Sequence, residues 1–470
     1  MQIASFIDNE IYQSSESFTA LNPYTLEPQH EVKSCDLMGL VMAIQAANRA
    51  FAQWRTSSYD ERIQVVEKIY ESLKQNADRY ALLEAQDQGL PLHFVQKYGI
   101  QKSLQTIEST LNIFKSSAAS ITDANTELPQ YAPVGVIAIV APWNLSLRVT
   151  LDRLIPALLA GNAVVVKVSS HSVVTAAILG EILQNAGIVK GLVNVLVSQD
   201  KEVKKALLAH PGVRAISVAG NIQTAQSVLA SSATFLSQQF KKVQISSGSK
   251  NSAVVLAEPT DQIFTEVMES FMLGQGQLVW NSSRLFILEK FESDWEERIR
   301  NYLAALRPSE SVEDTSVWTP CLKRDSFEKF DEIKQQAHVD KAKLLLTEFM
   351  LSEQQKKVFL PPVFTKDMSR CSTLQQDQIH SPFYILSAVK YPFDVAKYSN
   401  VSYFGFAAHL WGEPEKLKKV AEALDVGLVT YNRSSFDVVG PVAGVKQSGF
   451  GQQDFQSFGD FFSNVKKLSF

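Results

Sequence analysis

Four short apolar runs, each about as long as one buried strand, constrain the fold of this 470-residue chain more than any other feature. They are rich in valine and isoleucine and lack polar alternation, which is typical of strands buried on both faces of a parallel sheet. A helical stretch over residues 173–186 lies between two of them and ends at Gly187. The runs cover residues 134–140, 163–167, 192–196 and 215–218.

Strands that alternate with helices at this spacing predict a doubly wound α/β fold. Such a sheet binds ligands at the carboxyl ends of its strands, where helix N-termini face outward. After residue 250 the alternation continues with longer connections, so we predict a second α/β domain. Its predicted helices lie near residues 261–274, 294–306 and 325–338, and its predicted strands cover 285–288 and 384–386.

The first part of the chain predicts short strands and turns to about residue 28, followed by helices. Ser58 and Glu61 have the spacing of a capping box, in which the serine bonds forward and the glutamate bonds back. Asp36 is a second predicted N-cap, and Gly89 predicts the end of a third helix. The predicted helices begin at Asp36 and Ser58 and then cover residues 78–88 and 93–114.

A polar stretch with two prolines, residues 120–133, favours either a protruding hairpin or a loop. The tail from residue 449 to 470 is rich in Phe, Gln and Ser, and its last seven residues predict an edge strand. An unpaired edge offers free N–H and C=O groups, so this strand is a candidate to pair with the 120–132 hairpin of a neighbouring subunit.

Composition sets broad limits. A chain of this length indicates two or three domains, and 45% apolar with 20% charged residues is an ordinary globular balance. The net charge of −4, without a dense basic block, gives no case for nucleic acid or an anionic membrane surface. No apolar run approaches the roughly 20 residues of a spanning helix, and the N-terminus lacks the basic region of a signal peptide.

The three cysteines, Cys35, Cys321 and Cys371, are widely spaced. A sparse, odd number favours a reducing compartment and argues against a disulfide framework or a metal site. We therefore expect a cytoplasmic protein without bound metal.

Five segments, spread over nearly the whole chain, carry short motifs. They contain Pro-Trp-Asn, a strand that ends in lysine, a glycine turn, a Gly-Gln-x-x…Arg frame and a Lys-x-Ser-Gly element. The segments are residues 141–144, 161–167, 218–221, 276–284 and 441–451. Their order and spacing together resemble the aldehyde dehydrogenase superfamily.

The resemblance implies a Rossmann-like cofactor domain, a related α/β catalytic domain and a small bridging hairpin domain. The cofactor domain is expected over residues 1–119 and 134–246, and the catalytic-type domain over 247–448. Residues 120–133 and 449–470 are expected to form the bridging and oligomerisation segment. A homodimer or tetramer is implied, with an active paralogue as a further candidate partner.

The family's nucleophile segment reads Gly-Gln-x-Cys, then four residues, then Arg. In this chain the glycine, glutamine and arginine fall on Gly276, Gln277 and Arg284, and the cysteine falls on Val279. A valine has neither a lone pair nor an acidic proton, so it cannot attack a carbonyl. The neighbouring Trp280 either fills the substrate tunnel or packs in the core.

Two further catalytic positions follow from the resemblance. The asparagine that stabilises the oxyanion is retained as Asn144, whereas the general-base glutamate falls on Ser246. A serine hydroxyl has no pKa near neutrality and cannot take a proton from water. Cys321 and Cys371 are more typical of small buried hydrophobes than of replacement nucleophiles.

The resemblance also assigns a cofactor site, in which several contacts have changed. Ser170 stands where many NAD-dependent members have a glutamate, which removes discrimination against a 2′-phosphate and favours NADP. Ala225 replaces a glycine near the pyrophosphate, and Gln378 and His380 replace a glutamate and a phenylalanine. Weakened or absent NAD or NADP binding is expected. The assigned residues are Pro142, Trp143, Lys167, Ser170, Gly220, Gln378 and His380.

These residues predict a catalytically inactive aldehyde dehydrogenase homologue that acts as a binding or regulatory subunit, with a small molecule or a partner as ligand. The alternative is an NAD(P)-dependent aldehyde oxidoreductase whose chemistry needs no cysteine. A bulk structural protein recruited from an enzyme is compatible with the same residues.

Overall fold

The four apolar runs form the centre of an eight-stranded sheet in the computed structural model, which describes residues 2–121, 130–233, 240–322, 325–345, 347–440, 442, 444–451 and 461–466. The strand order is β21-β11-β10-β7-β8-β9-β2-β3, and β11, β10, β7, β8 and β9 are parallel. The predicted doubly wound α/β fold is confirmed.

The strands of the structure are β1 (Gln2–Ile3), β2 (Ser5–Ile7), β3 (Glu10–Tyr12), β4 (Ser17–Leu21), β5 (Pro28–Lys33), β6 (Gln130–Pro133), β7 (Val136–Val140), β8 (Ala163–Lys167), β9 (Val193–Leu196), β10 (Ala215–Gly220), β11 (Lys242–Ser247), β12 (Asn251–Val255), β13 (Ser282–Leu288), β14 (Lys343–Leu345), β15 (Val363–Lys366), β16 (Phe383–Val389), β17 (Phe404–Gly405), β18 (Ala407–Trp411), β19 (Leu428–Tyr431), β20 (Val445–Lys446), β21 (Gly449–Phe450) and β22 (Ser463–Lys466).

The α-helices are α1 (Leu37–Trp54), α2 (Tyr59–Gln75), α3 (Ala77–Gln88), α4 (Leu92–Phe94), α5 (Lys102–Ile121), α6 (Ser146–Leu159), α7 (Val174–Ala186), α8 (Lys201–Ala209), α9 (Ile222–Ala233), α10 (Asp261–Met272), α11 (Glu292–Ala305), α12 (Asp325–Val339), α13 (Thr373–Gln376), α14 (Asp394–Ser399) and α15 (Pro414–Ala423).

The predicted helix ends in the first part of the chain are confirmed. The Asp36 side chain caps α1, and Ser58 with Glu61 forms a complete capping box on α2. Gly89 ends α3 with a left-handed φ of 65°. The single helix predicted over 93–114 is interrupted, because a π-helical turn, Val95–Gln101, separates α4 from α5.

A second sheet of seven strands, in the order β14-β15-β16-β13-β12-β18-β19, contains both strands predicted after residue 250. All its neighbours are parallel except β14 and β15. The chain passes from the first sheet to the second between β11 and β12, whereas β21 returns to the edge of β11. The domain boundaries given above remain predictions.

The tail strand β22 pairs antiparallel with β6 of the same chain. Two contacts fix it there: Asn162 Nδ2 donates to the Phe462 carbonyl at 2.8 Å, and Lys242 Nζ donates to the Ser463 carbonyl. Its pairing with the hairpin of a neighbouring subunit remains a prediction. Residues 122–129, 452–460 and 467–470 of the predicted hairpin and tail lie outside the described residues. Within the described chain, no helix has the length and apolarity needed to cross a membrane.

The loop between α10 and β13 carries Val279 and depends on one buried amide. Asn281 Nδ2 donates to the carbonyls of Ser270, Phe271 and Leu273, at 3.1, 3.2 and 2.8 Å. Its Oδ1 accepts the Leu278 N–H at 2.8 Å. One side chain therefore satisfies the end of α10 and the start of the Val279 turn.

We expect Asn281→Ala to lower the free energy of unfolding by about 2–4 kcal/mol, because it leaves several buried backbone groups without partners. Urea denaturation followed by circular dichroism measures the change. Asn185→Ala, at an exposed asparagine, is the control and should change stability by less than about 0.5 kcal/mol. Equal effects of the two substitutions would show that the loop does not depend on this amide.

Candidate active site

A cavity of about 520 Å³ opens at the carboxyl ends of β7, β8, β10 and β11. This is where a doubly wound sheet is expected to bind a ligand. All the residues assigned from the sequence line it, so the fold brings them together from distant parts of the chain. They are Pro142, Trp143, Asn144, Lys167, Ser170, Gly220, Ser246, Val279, Gln378 and His380. Their individual roles remain predictions.

Asn144 lies in the turn between β7 and α6, and helix α3 fixes that turn. Gln88 Oε1 accepts the Leu145 N–H at 2.9 Å, and Glu84 Oε1 accepts the Leu147 N–H at 2.9 Å. Leu145 itself has a left-handed φ of 44°. Burial raises the pKa of the Glu84 carboxyl, which the Leu147 N–H opposes. The backbone around Asn144 is therefore held by side chains from another helix.

Val279 and Trp280 occupy the cavity wall where the nucleophile is expected. Asn251 Nδ2 donates to the Val279 carbonyl at 2.9 Å, and Ser435 Oγ donates to the Trp280 carbonyl at 3.0 Å. The Trp280 ring lies 5.2 Å from the Arg148 guanidinium and packs near Phe436. Trp280 thus both lines the cavity and packs in the core, so the two alternatives from the sequence are not exclusive.

Ser246, at the predicted general-base position, is bound to a cation. Arg153 Nη2 donates to Ser246 Oγ at 3.0 Å, and Arg153 Nη1 donates to the Val149 carbonyl at 2.8 Å. Burial lowers the pKa of Arg153, and neighbouring Asp152 opposes that shift. The predicted general-base position therefore presents a hydroxyl next to a guanidinium.

Three charged residues of α6 were missed by the sequence analysis. Asp152 and Arg153 line the cavity, and Arg148 lies behind Trp280. Burial raises the pKa of the Asp152 carboxyl, while Arg148 and Arg153 oppose the shift. The sequence does contain a signal for these residues. Directly after Asn144, charged residues one helical turn apart interrupt an otherwise apolar helical stretch.

No cysteine is among the described residues that line the cavity. Cys321 is buried, and its Sγ donates to Gln277 Oε1 at 3.4 Å, with Gln277 in the cavity wall. Cys35 is buried elsewhere in the core, where burial raises its pKa to about 12. Cys371 is exposed, contrary to the expectation of a buried residue. Among the described residues, no three His, Cys, Asp or Glu side chains are grouped to hold a metal ion.

The other end of the cavity has a cationic wall. Lys167, Ser170, His171 and Lys204 line it. Burial, with the Lys204 charge nearby, lowers the pKa of the Lys167 amine to about 8, so it is largely cationic at neutral pH. Positive charge beside a hydroxyl, instead of a carboxylate, is compatible with a phosphate-bearing nucleotide.

The N-terminus of α9 lies at the cavity, and one of its N–H donors is already engaged within the chain. Asn221 Oδ1 accepts the Thr224 N–H at 2.8 Å and so occupies one of the helix's open N–H groups. A Cβ on Gly220 would lie 3.2 Å from the Thr224 side chain, and Ala225 is buried behind it. The residues fit a nicotinamide dinucleotide in charge and in space, with one helix donor already engaged.

Comparison with known proteins gives consistent matches. The model of the "Aldehyde dehydrogenase family" matches residues 11–468. The human 2-aminomuconic semialdehyde dehydrogenase is 27% identical over an alignment 500 positions long, which covers 100% of this chain and 98% of that protein.

Two solved structures share the fold. The first is the indole-3-acetaldehyde dehydrogenase of P. syringae, as a Cys-to-Ala mutant in complex with NAD+ and IAA. It is 23% identical with a TM-score of 0.88 and covers 99% of this chain and 96% of its own. The second, an NAD+ complex of an aldehyde dehydrogenase from Bacillus cereus, is 21% identical with a TM-score of 0.89, at 99% and 96% coverage.

We expect the Lys167 amine to titrate near pH 8, because burial disfavours its charged form. Its positive charge at the cationic end of the cavity is then lost as the pH rises through 8. NMR titration of reductively ¹³C-methylated protein measures the midpoint, and Lys167→Arg assigns the signal. Lys241, whose pKa burial also lowers to about 8, keeps its signal in that variant. A Lys167 midpoint near 10.5 would contradict this account.

Proposed function

Since the chain belongs to the aldehyde dehydrogenase family, we propose that it is a catalytically inactive homologue that acts as a binding or regulatory subunit. One observation carries the proposal: Val279 shares the cavity with Asn144, and no cysteine lies among the described residues of the wall. Without a thiolate, no covalent bond to the aldehyde carbon forms, so the usual first step of the family's reaction is missing.

The surroundings of Ser246 support the same proposal. Its hydroxyl accepts a hydrogen bond from Arg153 Nη2 at 3.0 Å. A hydroxyl beside a buried guanidinium cannot act as a general base toward water near neutral pH, because its conjugate acid is far too strong. The hydrolysis step would therefore lack its base even if a thioester were formed.

The other residues of the cavity wall are suited to binding a ligand. Lys167 would hold a ribose hydroxyl or phosphate, Gly220 would allow close approach of the pyrophosphate, and Asn144 would donate to a ligand oxygen. A nicotinamide cofactor, when bound, supplies hydride transfer. Replacement of acidic contacts by Ser170 and Gln378 supports weakened binding with preference for NADP over NAD. The P. syringae enzyme without its cysteine is described with NAD+ and IAA bound, which supports a binding role here.

A second candidate is an oxidoreductase that needs no cysteine, and Asp152 is the observation that favours it. Asp152 lines the cavity, and burial raises the pKa of its carboxyl above the ordinary value. Such a group would take the hydroxyl proton of a hydrated aldehyde, a role for which Ser246 is unsuited. The related proteins named above are described as dehydrogenases, which is compatible with this alternative.

We also propose that the chain acts as a homodimer or tetramer, or together with an active paralogue, in the cytoplasm. The β6–β22 sheet supports self-association, because within the described residues neither strand pairs with a third strand, and Tyr131 and Val465 are exposed. The bulk structural role remains a further alternative, which very high cellular abundance would favour.

Purified protein incubated with NAD or NADP and a panel of aldehydes should show no reduction of cofactor above a heat-killed control, because the nucleophile is absent. Absorbance at the reduced-nicotinamide band measures it. The proposal of an inactive protein would be contradicted by turnover that is lost in the Asn144→Ala variant and kept in the Asn185→Ala variant. Turnover that Asp152→Asn also abolishes would favour the second candidate.

Restoring the missing groups tests whether the cavity is otherwise intact. We expect Val279→Cys to release product from an activated ester in a burst at least about tenfold above the parent protein. Adding Ser246→Glu should give turnover only slowly, because Arg153 lowers the pKa of a carboxylate placed there. Val149→Cys, which places a thiol elsewhere in the same wall, is the matched control. Equal bursts from both single variants would show that the Val279 position has no special geometry.

A further inference from the structure

The strap, which we define as residues 433–440, follows β19 at the edge of the second sheet and ends in the cavity wall at Gly440. Its backbone forms one 3-10 turn, Ser435–Asp437, and Val438 beyond this turn is half-buried. Residues with positive φ stand at both ends, with 50° at Asn432 and 92° at Gly440. A short segment between two tight turns can move as a unit, as lids over binding cavities do.

A buried arginine joins the strap to the π-helical turn of residues 95–101. Arg148 is 1% exposed, its Nη1 donates to the Tyr98 carbonyl at 2.9 Å, and its Nη2 donates to the Val438 carbonyl at 2.8 Å. The planar guanidinium holds these donors in a fixed geometry, so it satisfies both carbonyls only while the strap stays in place. Breaking either bond would leave part of a buried cation without a partner, which is costly. This cation therefore favours the closed position of the strap.

The strap brings a negative charge to the same place. Burial lowers the pKa of both Arg148 and Lys102, and the Asp437 carboxylate is among the charges that oppose the lowering at each. Asp437 is itself half-buried, so its attraction for these cations is screened less than that of a fully exposed charge. Because Lys102 begins α5 and Arg148 lies on α6, this attraction draws the strap towards both helices.

Apolar and neutral contacts complete the closure. The Phe436 ring is 1% exposed and packs against Phe94 and Tyr98, with ring centroids 5.2 and 5.5 Å away. The Gly440 N–H donates to Thr106 Oγ1 at 3.2 Å. All three partners belong to the segment that runs from α4 to α5, so the strap is held against one continuous part of the chain.

We propose that the strap is a lid over the cavity, latched in the closed position by Arg148 and Asp437, and that release of this latch opens the cavity beside Trp280. The Arg148 guanidinium lies 5.2 Å from the Trp280 ring, and the Phe436 ring centroid lies 6.3 Å from it. Releasing the latch therefore frees two of the groups against which Trp280 packs. The latch contacts do not involve the predicted nucleophile or general-base position, so the inference holds for an active or an inactive protein.

Hydrogen exchange measured by mass spectrometry on the full-length protein tests the latch. Arg148→Met keeps a long apolar side chain and removes both donors, so we expect the strap amides to exchange at least about tenfold faster. The peptide that contains residues 163–167 of β8 should keep its rate, because the change is local. Arg49→Met, at an exposed arginine, is the matched control and should leave strap exchange unchanged.

Neutralising the charge of the strap gives a second test. Asp437→Asn should speed exchange of the strap amides about threefold, since it removes the attraction to Lys102 and Arg148. Added salt should speed strap exchange in the parent protein and have no such effect in the Asp437→Asn protein. Asp331→Asn, at an exposed aspartate, is the matched control.

Opening of the cavity is measured with an introduced thiol. In the Val279→Cys background, N-ethylmaleimide should modify that thiol at least about fivefold faster when Arg148→Met is also present, because the opened strap adds an entrance. Cys371, which is exposed, gives a reference rate within each protein.

Faster exchange in residues 163–167 as well as in the strap would overturn the proposal, because it would show a loss of global stability. Unchanged strap exchange in a folded Arg148→Met protein would do the same, and so would unchanged modification of the introduced thiol. If Arg148→Met does not fold, the Asp437→Asn protein decides through the same two measurements. Turnover of an aldehyde would reject the proposed function without bearing on the lid.

Discussion

The contacts between α3 and the start of α6 are the interactions on which the rest of the site depends. Two buried side chains, Glu84 and Gln88, accept the N–H groups of Leu147 and Leu145. They fix the turn that follows β7, so they set both the position of Asn144 and the direction of the buried helix behind it. Since no water reaches these N–H groups, losing either acceptor would leave a helix end unsatisfied inside the core.

The same helix decides the electrostatic character of the cavity. A buried helix normally presents apolar residues, but α6 carries Asp152 and Arg153 in the cavity wall and Arg148 behind Trp280. Because the surroundings screen them poorly, these charges act on the cavity more strongly than charges of an exposed helix would. Val279 and Ser246 stand at the predicted nucleophile and general-base positions, and Arg153 lines the cavity beside Ser246.

The scaffold and the chemistry of the site have separate physical requirements. The turn that carries Val279 is held by Asn251 and Asn281 through backbone groups, and these contacts do not involve the Val279 side chain. The geometry of this turn therefore does not depend on which side chain stands at position 279. Functional groups are often slightly destabilising, so their loss does not threaten the fold.

Local sequence by itself determined the parallel strands and the helix ends at Asp36, Ser58 and Gly89, because these features depend on residues that are close in the chain. The spacing of the motifs also determined which residues stand at the assigned positions. Only the tertiary structure decided which charges share the cavity. Arg153 meets Ser246 across 93 residues of sequence, and Trp280 meets Arg148 through packing that no local pattern encodes. The π-helical interruption at Val95–Gln101 and the pairing of β22 with its own chain were likewise outside local pattern, since long-range packing selects them.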